Sequence, residues 1–299
     1  MHRHVFQLSL TATLLFAGAE SLDAGNILDR PIPAGWTTED TRGAELPADD
    51  SWWRLFGDST LDSLLQLAQN NNYNLEIAAR RLDQANQAVR SASAAYYPTV
   101  GATAGWQREH AGTTTGGYSL GLRASWEIDV FGKTYSRVKS QRFSRDASAA
   151  QYAQTMLTMC ASLATAYFDL RTAQAQLQVA EAHTQGQDTI VSKTVARFEA
   201  GLTSKLDVTQ ARTVLYSTQA SIPALRTQIE GDKQAIAILC GIYADEIAPM
   251  LQHNEGIQPD YRRIVGIGVP AELLRRRPDV VAAEADVSAA AASLGVARK

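Results

Sequence analysis

The sequence predicts a mainly α protein with one β-hairpin: a long antiparallel coiled-coil helical hairpin plus two strands, each with one apolar and one polar face. Three observations carry this. First, Tyr118, Leu120, Leu122, Ala124, Trp126, Ile128 and Val130 alternate with Ser119, Gly121, Arg123, Ser125, Glu127 and Asp129, so an extended strand has one apolar and one polar face. Second, Val100, Ala102, Ala104 and Trp106 alternate with Gly101, Thr103, Gly105 and Gln107, and a Gly- and Thr-rich loop from His110 to Gly117 joins the two runs. Third, from Thr134 onward a helical pattern continues to Cys240 with one obvious break.

In chain order, residues 1–19 read as a signal peptide: Arg3 among histidines, an apolar stretch from Val5 to Phe16, and Ala17-Gly18-Ala19 as the cleavage site. Residues 20–58 read as an extended strap, held open by Pro31, Pro33 and Pro47. Residues 59–97 are a helical pair. Asp58 or Ser59 caps the first helix, Asn70 to Asn72 end it, and Leu75, Ala78, Leu82, Ala85 and Val89 form the apolar side of the second. Residues 98–131 are the hairpin, entered at Pro98.

Residues 132–241 are the helical hairpin. Its first arm, Thr134 to Ala200, would extend about 100 Å, far beyond an ordinary globular helix. Its seam alternates spacings of four and three through Met156, Cys160, Leu163, Tyr167, Leu170 and Gln174, and recurs at Val191, Val195 and Phe198. Gly201 ends this arm and Thr203 or Ser204 caps the next, which repeats the seam at Val208, Ala211, Leu215, Thr218, Ile222, Leu225, Ile229, Asp232, Ile236 and Leu239. Pro223 should bend the second arm and Gly241 terminates it. Cys160 and Cys240 then reach similar heights, but packed helix axes seldom offer a disulfide's Cα separation, so free thiols are favoured over a bridge.

Residues 242–269 read as an irregular linker with Pro249, Gly256 and Pro259. Residues 270–299 open a second repeat: Leu75 aligns on Val280, Ala78 on Ala283, Leu82 on Val287, Ala85 on Ala290 and Val89 on Leu294, without gaps.

Composition excludes several functions. Across 299 residues the net charge of −3 gives no electrostatic reason for a nucleic-acid partner. No run of roughly 18 consecutive apolar residues argues for a membrane-spanning helix, so any bilayer crossing falls to strands. The five histidines are scattered, without metal-ligand spacing, phosphate loop or nucleophile elbow, so no catalytic, cofactor or metal site is expected and the protein is not read as an enzyme. A periplasmic coiled-coil adaptor or scaffold without a channel would explain the helices but not the two-faced strands.

Four motifs occur in order: W-W-R-L-F-G-D with L-D-S-L-L-Q-L-A at Trp52 to Ala68, W-E-I-D-V-F-G-K ending the strand, R-F-E-A-G-L-T-S-K-L-D-V at Arg197 to Val208, and L-L-R-R-R-P-D-V at Leu273 to Val280. Together, over Trp52 to Lys299, they resemble the outer membrane factors of tripartite RND-type efflux pumps, the TolC-like family, in its OprM/NodT-type branch. The resemblance implies a homotrimer in which each subunit gives two strand pairs to a shared transmembrane β-barrel in the outer membrane and two helical hairpins to a periplasmic α-helical tunnel, with most of the chain in the periplasm. It implies a passive export conduit for drugs or other small molecules, fed by an inner-membrane pump through a periplasmic adaptor. It places Arg197, Glu199, Gly201, Leu202, Thr203, Ser204 and Asp207 at the adaptor-contacting tip. Leu120, Leu122, Trp126 and Ile128 would face lipid, and Arg123, Glu127 and Asp129 the water-filled lumen. No cysteine follows Ala19, where many members of this branch carry a lipidated one, which argues against a lipid anchor. The residues match the family's first repeat and the start of its second; three such chains would supply half the strands of the barrel. The expectation is therefore a fragment or truncated product, inactive as a channel alone.

Overall fold

The computed structural model describes residues 52–110, 114–259 and 276–298. The predicted signal peptide, nearly all of the strap, the end of the linker and the opening of the second repeat lie outside the described residues. The chain divides into two compact units, one holding residues 52–79 and 152–259, the other 80–151 and 276–298.

The first unit begins with a 3-10 turn, Trp52–Phe56, and helix α1, Ser59–Asn71. Asp58 is the α1 N-cap: its Oδ1 accepts from the backbone N–H groups of Thr60 (2.8 Å) and Leu61 (3.2 Å). Asn72 closes α1 through its own N–H and starts α2, Tyr73–Ser93, by accepting from Leu75 N–H at 3.0 Å. Leu61, Leu64, Leu65 and Ala68 are fully buried, as an amphipathic helix of this pattern requires.

Helix α3, Lys133–Glu199, is one unbroken element of 67 residues, and α4, Lys205–Cys240, returns beside it. Of the predicted seam positions, Cys160, Leu163, Tyr167 and Leu170 on α3 and Val208, Leu215, Ile229 and Ile236 on α4 are buried, Val191, Val195, Ala211, Ile222 and Leu225 are half-buried, and Phe198 is exposed. Both glycine stops are Schellman closures. Gly201 (φ 73°) and Gly241 (φ 67°) take the left-handed conformation, and Leu202 N–H donates to Arg197 C=O (2.8 Å) as Ile242 N–H does to Ala237 C=O (3.2 Å). Helix α4 continues through Pro223. Cys160 and Cys240 are two buried free thiols.

The region read as an irregular linker contains a helix, α5, Ala244–Gln252, with Ile247 and Leu251 buried. Pro249 is tolerated there because it lies within a short helix whose packing, rather than its internal ladder, holds it; the apolar positions Ile247, Met250 and Leu251 were the overlooked signal.

In the second unit, β1, Thr99–His110, pairs antiparallel with β2, Thr114–Ser125. Two sequence expectations change here. The connecting loop is shorter than His110 to Gly117, because pairing extends to His110↔Thr114. The second strand stops at Ser125, so Trp126, Glu127, Ile128 and Asp129 leave the ladder although their alternation continues. The physical reason is the partner: β1 begins at Thr99 behind Pro98, which has no N–H to donate.

Helix α6, Pro278–Ala297, is 20 residues long and, by length and composition, apolar enough to cross a membrane, which the search for an unbroken apolar run did not register. It buries Ala282, Ala285 and Ala289, a face different from the Val280, Ala283, Val287, Ala290 and Leu294 row that aligns with α2. Small residues decide this: Ser140 Oγ reaches Ala289 C=O at 3.0 Å and Ser293 Oγ at 2.8 Å, an approach that valine and leucine would block.

Candidate membrane hairpin and helical tip

The register sorts the hairpin into two chemistries. Val100↔Ala124, Ala102↔Leu122, Ala104↔Leu120 and Trp106↔Tyr118 share one face, and every member is apolar or aromatic. Gly101↔Arg123, Thr103↔Gly121, Gly105↔Ser119 and Gln107↔Gly117 share the other. Leu120 and Leu122 are 89% and 86% exposed, so nothing among the described residues covers the greasy face. Aromatics close it at both ends. Trp106 and Tyr118 sit opposite each other at one end, and at the other Trp126 Nε1–H donates to Tyr96 C=O at 3.2 Å. Tyr118 and Trp126 thus mark its two ends, eight residues apart in sequence.

Of the predicted lumen-facing residues, the structure keeps only Arg123 on the paired strand. Glu127 lies 3.5 Å from Lys133 Nζ. Asp129 Oδ2 accepts the backbone N–H of Tyr135 at 2.9 Å, at the start of α3. Of the predicted lipid-facing residues, Leu120 and Leu122 are on the ladder, and Trp126 and Ile128 are exposed in the segment after it.

At the far end of α3 the predicted tip residues form a compact turn. Ser204 is the α4 N-cap and Asp207 completes a reciprocal capping box: Asp207 N–H donates to Ser204 Oγ (3.3 Å), and Ser204 N–H donates to Asp207 Oδ2 (2.9 Å). Hydrogen bonds from Thr203 Oγ1, then from the Ser204 backbone and hydroxyl, hold the Asp207 carboxyl down at about 2. Leu202 is 71% exposed on this turn. Leu206, on the first turn of α4, is also exposed; it was not among the predicted tip residues, and a leucine two places after the cap was the available signal.

A further polar constellation was missed altogether. Arg171 is fully buried; its Nη1 donates to Gln174 Oε1 (3.0 Å) and Leu251 C=O (2.9 Å), its Nη2 donates to His253 C=O, and its guanidinium lies 4.8 Å from the Tyr167 ring. Tyr167 O–H in turn donates to Asp58 Oδ2 at 2.6 Å. Among the described residues no group of three or more His, Cys, Asp or Glu side chains could hold a metal.

The family model of the outer membrane efflux proteins matches residues 64–241, which span α1 to the end of α4. The chain belongs to the outer membrane efflux protein family. It is 31% identical over 310 aligned positions to the pyoverdine export outer membrane protein OpmQ of Pseudomonas putida, covering 99% of this chain and 65% of that protein. Nodulation protein T of Rhizobium leguminosarum bv. viciae is 29% identical over 90% of this chain and 56% of its own length. Among solved structures, the outer-membrane channel OprN superposes with a TM-score of 0.74 at 30% identity, over 90% of this chain and 62% of that one. The Campylobacter jejuni CmeC outer membrane channel has the same TM-score, 0.74, at 22% identity, and shares the fold. The chain thus spans about two-thirds or less of the length of these relatives. It is an OprM/NodT-type member of a channel family, not of an enzyme family, and nothing supports the adaptor or scaffold alternative.

Proposed function

We propose that this chain is part of an outer-membrane channel subunit of a tripartite efflux pump, a passive conduit without catalytic activity that acts as a homotrimer. The supporting observation is the hairpin: from Val100 to Trp106 and from Tyr118 to Ala124 one face is apolar or aromatic, with aromatics at both ends, as in the lipid-facing band of outer-membrane barrels. In this reading Leu120, Leu122, Trp126 and Ile128 meet lipid. Arg123, Glu127 and Asp129 meet the water of the lumen, the last two at its inner mouth, beyond the ladder. The chain's helices lie in the periplasm and the energy comes from an inner-membrane pump joined through a periplasmic adaptor. Two exposed leucines beside a rigid, well-capped turn make Arg197, Glu199, Gly201, Leu202, Thr203, Ser204 and Asp207, with Leu206, a docking surface for that adaptor. The reading is tested with the full-length protein. It should be recovered by detergent from the outer membrane and conduct ions in planar bilayers; recovery from the soluble periplasmic fraction without conductance would overturn it.

A further inference from the structure

We propose that Arg123 makes the barrel prefer anionic solutes, small carboxylates and phosphates among them, over cations. The inference rests on the channel reading above and concerns what that channel passes most readily.

The paired polar face holds Gly101, Thr103, Gly105, Gln107, Glu109, Gly117, Ser119, Gly121 and Arg123; its two ionisable groups stand toward opposite ends, Glu109 beyond the Trp106↔Tyr118 rung and Arg123 inside it, so Arg123 is the one charge on that face between the aromatic ends. Its cross-strand partner is Gly101, which offers no side chain. The nearest hydroxyls are engaged elsewhere: Thr99 Oγ1 with Ser125 at 2.9 Å, and Thr103 Oγ1 with Gly121 C=O at 3.4 Å. The two carboxylates that follow in sequence are committed as well, Glu127 to Lys133 and Asp129 to the N-terminal N–H groups of α3. Arg123 is exposed and makes no side-chain hydrogen bond or ion pair among the described residues. A guanidinium stays charged at any physiological pH, and its planar fork matches carboxylate and phosphate oxygens. The surrounding glycines leave its approach open. In a symmetric trimer, three such groups stand at one height, and a ring of arginines on a lumen wall attracts anions and repels cations.

The test is the chloride-to-potassium permeability ratio of the full-length protein in planar bilayers under a KCl gradient. Arg123→Ser should lower the ratio about two- to threefold, and Arg123→Glu should lower it further. Arg108→Ser, on the greasy face beyond Trp106, should leave it unchanged. Arg123→Cys, assembled and then reacted with a cationic thiol reagent, should regain the parent ratio; an anionic reagent should not restore it. Cys160 and Cys240, both buried, do not compete for the reagent. Equal ratios across the parent and the Arg123 variants, or an equal fall in Arg108→Ser, would overturn the proposal while leaving the channel standing. A parent protein that conducts nothing would overturn the channel reading itself.

Discussion

Arg171 shows how a single side chain can hold a chain reversal. Its guanidinium bridges α3 to the carbonyls of Leu251 and His253, where α5 ends and the backbone has no helical partner of its own. Arg171→Ala removes these bonds from a fully buried site and should destabilise the protein by about 3 kcal/mol, read as a lowered denaturant midpoint of the detergent-solubilised protein. Arg171→Lys keeps the charge but not the fork and should recover only part of the loss. Next to it, burial and then the bond to Asp58 push the Tyr167 hydroxyl up to about 12. In the unfolded chain it ionises near 10, so its contribution is fully present below about pH 10 and is lost as pH rises toward 12. The difference in stability between the parent and Tyr167→Phe, followed by circular dichroism, should therefore be flat to about pH 10 and shrink above it. This network was hidden in the sequence because Tyr167 and Gln174 fell on the predicted apolar seam, where a tyrosine reads as bulk and a glutamine as a weak point. Arg171 beside them was the clue, since a charge next to a buried stripe needs partners.

At the scale of elements, the helices were legible and the strand ends were not. Periodicity fixed the seams of α3 and α4, and glycine at 201 and 241 fixed their ends, because both signals come from local geometry that neighbours rarely override. Gly241 also shows a tertiary constraint that no local rule supplies: a Cβ there would strike the Asn71 carbonyl. Gly241→Ala should thus cost more than the ~1–2 kcal/mol of left-handed strain alone, whereas Gly201→Ala, with open space around it, should cost that strain and little more; thermal unfolding of the two variants separates them. The end of β2 was misread for the opposite reason. Alternation from Trp126 to Val130 persists in the side chains, but a strand exists only where another backbone pairs with it, and β1 supplies none before Thr99. Likewise α6 carries apolar residues on every side, so its sequence could not say which face would be buried; the serine and alanine contacts with α3 decided it.

For the whole molecule, the proposed channel reading rests on the two-faced hairpin, in a fold shared with the outer-membrane channel OprN. The most direct test of the central claim, that the Leu120 face meets lipid and the Arg123 face meets water, is a nitroxide scan from Ser119 to Ala124. It is done in the full-length protein reconstituted in lipid, with oxygen reporting contact with hydrocarbon and a nickel chelate reporting contact with water. The account predicts oxygen maxima at positions 120, 122 and 124 and nickel maxima at positions 119, 121 and 123, strictly out of phase. Oxygen and nickel profiles without this two-residue period, or with the two phases exchanged, would contradict it.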